Sequence, residues 1–326
     1  MVFKRVRLRP ASPLVNAGLA AAVIFLGACS GSEDETPSAS TDQTSPETPE
    51  APENTVILPA VWNTDPLHAP VTDIAFAGGS TPIMLALFED GTAQVFDLNA
   101  ERLTEPAPLD VALVTSGIEQ AFGADTLSVF PALDPAGAPQ LVVFTPALPA
   151  PSVIALNENL NDARGLCIAE TPDQGTSFSF SAILEQAEDN TSDPNAYGHI
   201  IVTEDEEFDI LPASAPAVTR PYTECDYRGP PAGDTALLRQ GDQVTELQLT
   251  PFGTLVSKPS GADIGTPITI RDGITVRASK APTAIATLSE VRFGNYPSGI
   301  IAVAGPLENG EHRIALIEPE PLFDGG

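Results

Sequence analysis

The sequence is poor in basic residues. Lys and Arg together number 15 against 44 Asp and Glu, which gives the 326 residues a formal net charge of −29. A surface of this charge repels phosphate backbones and anionic headgroups, so nucleic acid is excluded as a partner. The same surface suits Ca²⁺, which prefers carboxylate and carbonyl oxygens. Simple solubility in a salty exterior explains the acidity equally well.

Several chemical signatures are absent from the sequence. The three histidines, His68, His199 and His312, are scattered, so they predict no shared metal site. The sequence contains no Gly-x-Ser-x-Gly nucleophile elbow and no Walker or dinucleotide-binding fingerprint. Long helical periodicity is nearly absent as well. These absences remove the common serine hydrolase, nucleotide-binding and helical-bundle interpretations.

The N-terminus has the pattern of a secretory signal. Four basic residues within the first nine are followed by an apolar stretch from Leu14 to Leu26 and by the small residues Gly27 and Ala28, directly before Cys29. The ending Leu-Gly-Ala-Cys resembles the bacterial lipobox, and this resemblance implies that Cys29 is acylated. An ordinary cleaved signal and an uncleaved anchor are the alternatives. We expect a lipoprotein of the cell envelope, sorted to the outer membrane and facing the periplasm or the exterior.

The next segment predicts a flexible tether. Residues 29–54 are rich in Ser, Thr, Pro and acidic residues and lack bulky apolar side chains, so they cannot bury enough surface to offset their ordering entropy. Removal of residues 1–28 takes away four basic residues and no acidic one, which leaves a mature charge of about −33. The predicted organisation is a signal peptide over 1–28, a lipidated disordered linker over 29–54 and one domain over 55–326.

The domain predicts an all-β fold. Short apolar runs alternate with Gly, Pro, Asp and Asn turns, and the clearest pair is Ile83–Phe88 and Thr92–Leu98 around Glu89-Asp90-Gly91. Similar hairpins are predicted at 141–156, 236–249 and 300–317. Strand pairs that recur every 40–50 residues without helices favour a β-propeller of about six blades. We expect the strand at 55–59 to complete the last blade. A β-sandwich and a β-helix are the alternative folds.

Two cysteines follow Cys29, namely Cys167 and Cys225. An even pair in an oxidising compartment predicts a disulfide. Such a bridge would stabilise the fold by roughly 4 kcal/mol in the chain-entropy model.

Four segments resemble the β-propeller phytases, which hydrolyse inositol phosphates with calcium. The four are Asp73-Ile74-Ala75-Phe76 with 83–98, Arg164-Gly165-Leu166-Cys167 with 177–184, Tyr222 to Asp226, and Gly294 to Val303. The resemblance implies a calcium-dependent 3-phytase-like phosphatase that acts on a phosphorylated small molecule. The carboxylates that would then bind calcium are Asp73, Glu89, Asp90, Glu224 and Asp226.

The departures from this family fall where its chemistry lies. Thr72 stands where the family has the first Asp of an Asp-Asp pair. The strand that carries a phosphate-contacting lysine in the family ends here in Glu89 without one. The Gln-Asp-Gly of the family is here a Val-Ala-Gly that ends at Gly305. Glu224 lies one step out of register, which turns a strand side chain to the opposite face. We therefore predict a catalytically degenerate, monomeric propeller that binds or scaffolds an envelope partner, with active phytase as the alternative. Tyr222, Tyr227 and Arg228 form the candidate ligand surface, and aromatic packing between blades explains the two tyrosines equally well.

Overall fold

The computed structural model describes residues 55–122, 125–155, 163–169, 178–186, 197–202, 208–212, 224–227, 234–241, 243–259, 262, 264–289 and 296–323. Strands dominate these ranges, and a short 3-10 helix, Glu320–Leu322, follows the last of them. In the same ranges, no helix has the length and apolar character that a membrane crossing needs.

The first two blades are four-stranded antiparallel meanders. Blade 1 contains β2 (Val71–Gly78), β3 (Ile83–Phe88), β4 (Thr92–Asp97) and β5 (Ala107–Pro108). Blade 2 contains β7 (Gly117–Phe122), β8 (Asp125–Leu133), β9 (Pro139–Phe144) and β10 (Ser152–Ala155), and the short β6 (Leu113–Val114) pairs with β8. The two blades join through their first strands, because β2 and β7 pair in parallel at Ala77 and Gly117.

Blades 3 and 4 repeat the same meander. Blade 3 contains β11 (Ala163–Ala169), β12 (Phe178–Gln186), β13 (Tyr197–Val202) and β14 (Phe208–Pro212). Blade 4 contains β16 (Thr235–Gln240), β17 (Gln243–Leu249), β18 (Leu255–Pro259) and β19 (Thr266–Arg271). The short β15 (Glu224–Tyr227) bridges them, since it pairs with both β11 and β16.

Blade 5 joins the two ends of the domain. Its first three strands are β20 (Ala284–Leu288), β21 (Ile300–Pro306) and β22 (His312–Ile317), and its fourth is the N-terminal β1 (Val56–Asn63). β1 pairs antiparallel with β22, where Ala60 faces Ile317, and its first half pairs in parallel with β19 of blade 4. The first strand, β20, packs beside both β16 and β2. The N-terminal strand therefore completes blade 5 as expected, but through residues 60–63, whereas the predicted residues 56–59 pair with β19 of blade 4.

The core lies between blades, and this explains the most apolar strand. All six residues of β3 are buried. Met84 and Phe88 belong to one cluster with Leu316 of blade 5, whereas Leu85 belongs to another cluster with Phe130 of blade 2. Successive strand side chains point to opposite faces, so a strand that is covered on both faces must be apolar throughout.

The architecture is an all-β propeller-type fold, and the four predicted hairpins are confirmed by the pairing of their strands. The described strands form five blades, where the repeat length predicts about six. Five blades over residues 55–326 average about 54 residues each, longer than the 40–45 residues of the standard repeat. Wide sequence separations between consecutive strands, such as that between β14 and β15, account for this greater length.

Candidate functional site

Asp73, the first predicted calcium ligand, lies buried in β2 with 3% of its surface exposed. One carboxylate oxygen accepts the backbone N–H of Ile74 at 2.9 Å, and the other accepts the backbone N–H of Val114 at 2.8 Å. A carboxylate that accepts two buried backbone hydrogen bonds has a structural role, because it satisfies donors that would otherwise be left unpaired. The geometry therefore gives Asp73 the role of a connection between blade 1 and β6.

Glu89 and Asp90, two further calcium candidates, lie in the exposed turn between β3 and β4. Asp90 accepts hydrogen bonds from the Thr92 hydroxyl at 2.6 Å and the Thr92 backbone N–H at 3.1 Å, and it lies 3.2 Å from His68 Nε2. The Thr92 hydroxyl lowers the pKa of Asp90, and the Thr92 N–H and His68 add to this effect. Gly91 has φ +76°, which the tight turn requires. Asp90 thus stabilises the hairpin it belongs to.

The remaining candidates lie in or near β15. Glu224 and Asp226 belong to this strand, and Tyr227 is its last residue. The strand register places Cys225 directly opposite Cys167 of β11. Directly opposed antiparallel residues have Cα atoms about 4.5–5.5 Å apart, within the range that a disulfide spans. The disulfide stays a prediction, as do the roles of the β15 side chains; Cys29, Tyr222 and Arg228 lie outside the described residues.

The calcium candidates are therefore not brought together in the described part of the chain. Within that part, no three His, Cys, Asp or Glu side chains lie close enough to hold a metal ion. Asp73 is buried in a strand, whereas Glu89 and Asp90 belong to a turn. Calcium binding stays a prediction that would depend on Glu224 and Asp226.

Asp234, which the sequence analysis did not single out, has the most unusual carboxyl group among the described residues. It immediately precedes β16, and its Oδ2 lies 3.4 Å from the backbone N–H of Ile285 in blade 5. Burial raises the pKa of Asp234 from 3.8 to about 7, and the Ile285 N–H only partly opposes this effect. Carboxyls with strongly raised pKa values occur at functional sites and also in structural contacts between elements.

An open cleft of about 280 Å³ lies between the loop that follows β19 and the hairpin between β21 and β22. The loop contributes four lining residues and the hairpin three, namely Asp272, Arg277, Ala278, Lys280, Leu307, Glu308 and Asn309. No motif in the sequence points to it. The only available signal is composition, since Arg271, Arg277 and Lys280 fall within ten residues of a chain that has few basic residues.

Asp272 organises the basic side of the cleft. Its Oδ1 accepts the Ala278 backbone N–H at 2.9 Å, its Oδ2 accepts Arg277 Nη1 at 2.6 Å, and Lys280 Nζ lies 3.7 Å away. The Ala278 hydrogen bond and then Arg277 lower the pKa of Asp272, and the hydrogen bond to Asp272 raises that of Arg277. Asp272 and Arg277 thus stabilise each other's charged forms on this side of the cleft.

The rim of the cleft is closely tied to blade 5. Asn63 at the end of β1 donates from Nδ2 to the Arg277 carbonyl at 3.5 Å, and Gly273 passes so close to Ala60 that a β-carbon there would lie 2.1 Å from the Ala60 oxygen. Ile274, between Asp272 and Arg277, projects fully into solvent. The cleft can bind a ligand by hydrogen bonding and charge, and the same loop offers the exposed apolar side chain of Ile274.

Comparisons with known proteins give fold-level similarity only. No protein-family model and no curated protein sequence matches the chain. Among solved structures, a mutant of AofleA from Arthrobotrys oligospora has a TM-score of 0.44 at 10% identity, covering 80% of this chain and 92% of its own. A family-43 glycoside hydrolase from Xanthomonas citri, complexed with xylotriose, has a TM-score of 0.42 at 11% identity, covering 79% and 89%.

A third similar structure is a family-43 β-xylosidase/α-arabinofuranosidase from a compost microbial metagenome, solved with xylotriose in a calcium-free form. Its TM-score is 0.39 at 8% identity, with 78% of this chain and 92% of that chain covered. These three proteins are not phytases, so the predicted phytase resemblance gains no support from them. At such low similarity, the chemistry of the site must be argued from its own residues.

Proposed function

We propose that this protein is an envelope-anchored binding module that presents the cleft between the 272–280 loop and the β21–β22 hairpin to its partner. The observation that carries the proposal is the cleft itself, an open depression lined by charged and amide side chains, whose 272–280 loop also carries the fully exposed side chain of Ile274. Exposed apolar side chains beside fixed polar groups are typical of binding surfaces. Monomeric propeller-type domains commonly bind their partners at one end of the propeller.

The alternative is a calcium-dependent phytase-type phosphomonoesterase. It needs several carboxylates to gather around metal ions that neutralise the transferring phosphoryl group. The carboxylate oxygens of Asp73 and Asp90 already accept hydrogen bonds within the fold. This use of two candidates favours the binding module over the hydrolase. The predicted ligand surface of Tyr222, Tyr227 and Arg228 stays a second candidate binding region.

Site-specific photo-crosslinking in intact cells tests the binding module. A photoreactive amino acid at Ile274 is expected to form a discrete adduct with an envelope component. The matched control is Ile264, which is 84% exposed but lies in the β18–β19 loop at the opposite end of blade 4. Equal adducts at both positions, or none at Ile274, would contradict the proposal.

Phosphate release separates the two functions. The purified protein is expected to release no phosphate from phytate, with or without added calcium, because the binding module needs no metal-assisted displacement. A calcium-dependent release that disappears in Asp226→Asn would establish the phosphatase instead.

The anchoring part of the proposal rests on the sequence of the N-terminus. A lipobox cysteine that carries two acyl chains gives stable attachment, whereas one chain does not. We expect wild-type protein in the outer-membrane fraction and Cys29→Ala protein without incorporated labelled palmitate. Labelled Cys29→Ala protein would refute acylation at this residue.

A further inference from the structure

We infer that the cleft binds a small polyhydroxylated oxyanion, of which the ring of a sugar acid is the simplest example. The inference rests on the proposed binding function and names the ligand class. Its basis is the distribution of donors, acceptors and apolar groups around the cleft.

The donors come first from Arg277. A guanidinium carries five N–H donors in a rigid fork. Among the described residues, the protein hydrogen bond of this side chain involves Nη1, which donates to Asp272. The remaining N–H groups face the cleft or solvent, since the Arg277 side chain is 76% exposed. Arg277 can therefore donate to a carboxylate without losing its contact with Asp272.

Lys280 and Asn309 add further donors. Lys280 Nζ lies 3.7 Å from Asp272, a distance that allows a weak charge contact, and its side chain is half exposed. Exposed ion pairs of this kind contribute little to stability, so redirecting Lys280 towards a ligand has a small penalty. Asn309 uses its side-chain oxygen to accept the Glu311 N–H at 3.1 Å, which leaves its amide N–H groups for a ligand.

Glu308 makes the cleft selective. Its carboxylate lines the same space as Arg277 and Lys280 and can accept hydrogen bonds from hydroxyl groups. A bare anion would contact the two cations, but it would also lie near the negative charge of Glu308. A neutral sugar would satisfy Glu308, but the N–H groups of Arg277 and Lys280 that Asp272 does not use would meet no second carboxylate. A sugar acid satisfies both, because its carboxylate and hydroxyls lie on one ring.

The size and the walls agree with this ligand class. A volume of about 280 Å³ lies just below the roughly 300–1,000 Å³ of sites for drug-sized ligands, and a single sugar ring fits such a space. Leu307 and Ala278 supply apolar surface to the lining. The C–H face of a sugar ring can pack against such surface while its hydroxyls reach polar groups.

Calorimetric titration of the full-length protein in detergent tests the inference. The probes are D-glucuronate, D-glucose, which has the same ring without the carboxylate, and inorganic phosphate, which has charge without the ring. Trp62 is the only tryptophan and directly precedes Asn63, whose side chain contacts the cleft loop, so its fluorescence gives a second readout. We expect D-glucuronate to bind with a dissociation constant on the order of 1 mM, as ligand efficiency suggests.

The expected specificity has two parts. D-Glucose and phosphate should each bind at least about fivefold more weakly than D-glucuronate, because each lacks one set of contacts. Arg277→Gln and Lys280→Gln should each weaken D-glucuronate binding by about fivefold or more. Lys258→Gln is the matched control, since Lys258 is the other lysine after Cys29 and lies near the opposite end of blade 4. Arg277 and Lys280 are exposed and Lys258 is partly buried, so unchanged thermal unfolding should be verified for all three variants.

Defined results would overturn the inference. Equal binding of D-glucose and D-glucuronate would remove the oxyanion requirement, and equal binding of phosphate would remove the requirement for hydroxyls. Absence of saturable D-glucuronate binding, or equal losses in Lys258→Gln and Lys280→Gln, would remove the site. Crosslinking at Ile274 without D-glucuronate binding would leave the binding module intact and refute only this ligand class. D-Glucuronate binding without an adduct at Ile274 would support the ligand class and refute the proposed binding of an envelope partner.

Discussion

The carboxylate of Asp73 accepts the backbone N–H of Val114 at 2.8 Å, although the two residues lie 41 positions apart. Val114 belongs to β6, which pairs with β8 of blade 2, and Asp73 belongs to β2 of blade 1. The contact therefore joins two blades through a buried hydrogen bond. Asp73 thus stabilises the interface between blades, and its predicted role as a calcium ligand stays a prediction.

Replacement of Asp73 should reduce stability more than replacement of another calcium candidate. Asp73→Ala leaves the Val114 and Ile74 N–H groups without this acceptor, and we expect a loss of about 3 kcal/mol in the free energy of unfolding. Glu89→Gln changes an exposed turn residue and should stay within about 0.5 kcal/mol of wild type. Urea denaturation measures both values. A calcium ligand without a structural role would give the opposite result, with little loss of stability for Asp73→Ala in metal-free buffer.

Asp234 should give the fold a distinctive pH dependence. Its carboxyl has a pKa of about 7 in the folded protein and 3.8 as an ordinary side chain, so the folded state holds the proton more tightly. The stabilisation is fully present below pH 3.8 and is lost as the pH rises towards 7. Asp234→Asn removes this effect. As the pH rises from 3.8 to about 7, the free energy of unfolding of the variant should therefore increase relative to that of wild type, by up to about 1.4 kcal/mol per pH unit.

Asp90→Asn is the control with the opposite sign. The folded-state pKa of Asp90 is lowered, so its contribution is present above pH 3.8 and is lost as the pH falls below that value. This variant should be slightly less stable than wild type at neutral pH, and the difference should vanish in acid. Chemical denaturation at several pH values tests both variants, and a stability difference for Asp234→Asn that does not vary with pH would contradict the expectation.

Gly273 should tolerate a methyl group poorly. A β-carbon at this position would lie 2.1 Å from the backbone oxygen of Ala60 in β1, so Gly273→Ala must displace the closing strand. We expect a loss of about 2 kcal/mol or more, as for overpacked sites. Gly310→Ala is the comparison, because Gly310 has φ +83° with open space around it and should lose only about 1 kcal/mol through backbone strain. Thermal unfolding that ranks the two variants in the reverse order would refute the close approach.

The Cys167–Cys225 pair should be oxidised in exported protein. The strand register places the two residues opposite each other on β11 and β15. Under denaturing conditions, alkylation before and after reduction should reveal two thiols only after reduction. Reductant, or the double variant Cys167→Ser with Cys225→Ser, should lower the free energy of unfolding by up to roughly 4 kcal/mol. Two thiols that react without reduction would disprove the bridge.

The strands and hairpins could be predicted because their signals are local. Ile83–Phe88 is apolar throughout, and Gly91 supplies the positive φ of the following turn, so neighbouring residues specify this hairpin. The pairing of the first strand with the last hairpin could also be predicted, because a propeller is closed when its N-terminal strand completes the last blade. The number of blades did not, because long polar connections change the repeat length without changing the strand pattern.

The candidate site was much less predictable. The sequence around Asp73 does not indicate that its carboxylate accepts the Val114 N–H, because that contact depends on how two blades pack. The cleft combines Asp272 and Arg277 with Glu308 from a separate hairpin, so only the folded structure brings them together. Acidic residues are abundant in this chain, and abundance alone does not distinguish a ligand from a turn residue.

The closing strand also determines when folding can finish. Ala60 of β1 pairs with Ile317 of β22, near the opposite end of the sequence, so this pairing requires the closure of a very long loop. Contacts of such sequence separation form slowly, and a chain that emerges from its N-terminus first must keep the second half of β1 unpaired until β22 has followed. Until β1 and β22 pair, β22 has an open edge that another molecule could occupy. Blade 5 is therefore the part of the fold most exposed to misassembly, and faster ring closure would protect the chain during biogenesis.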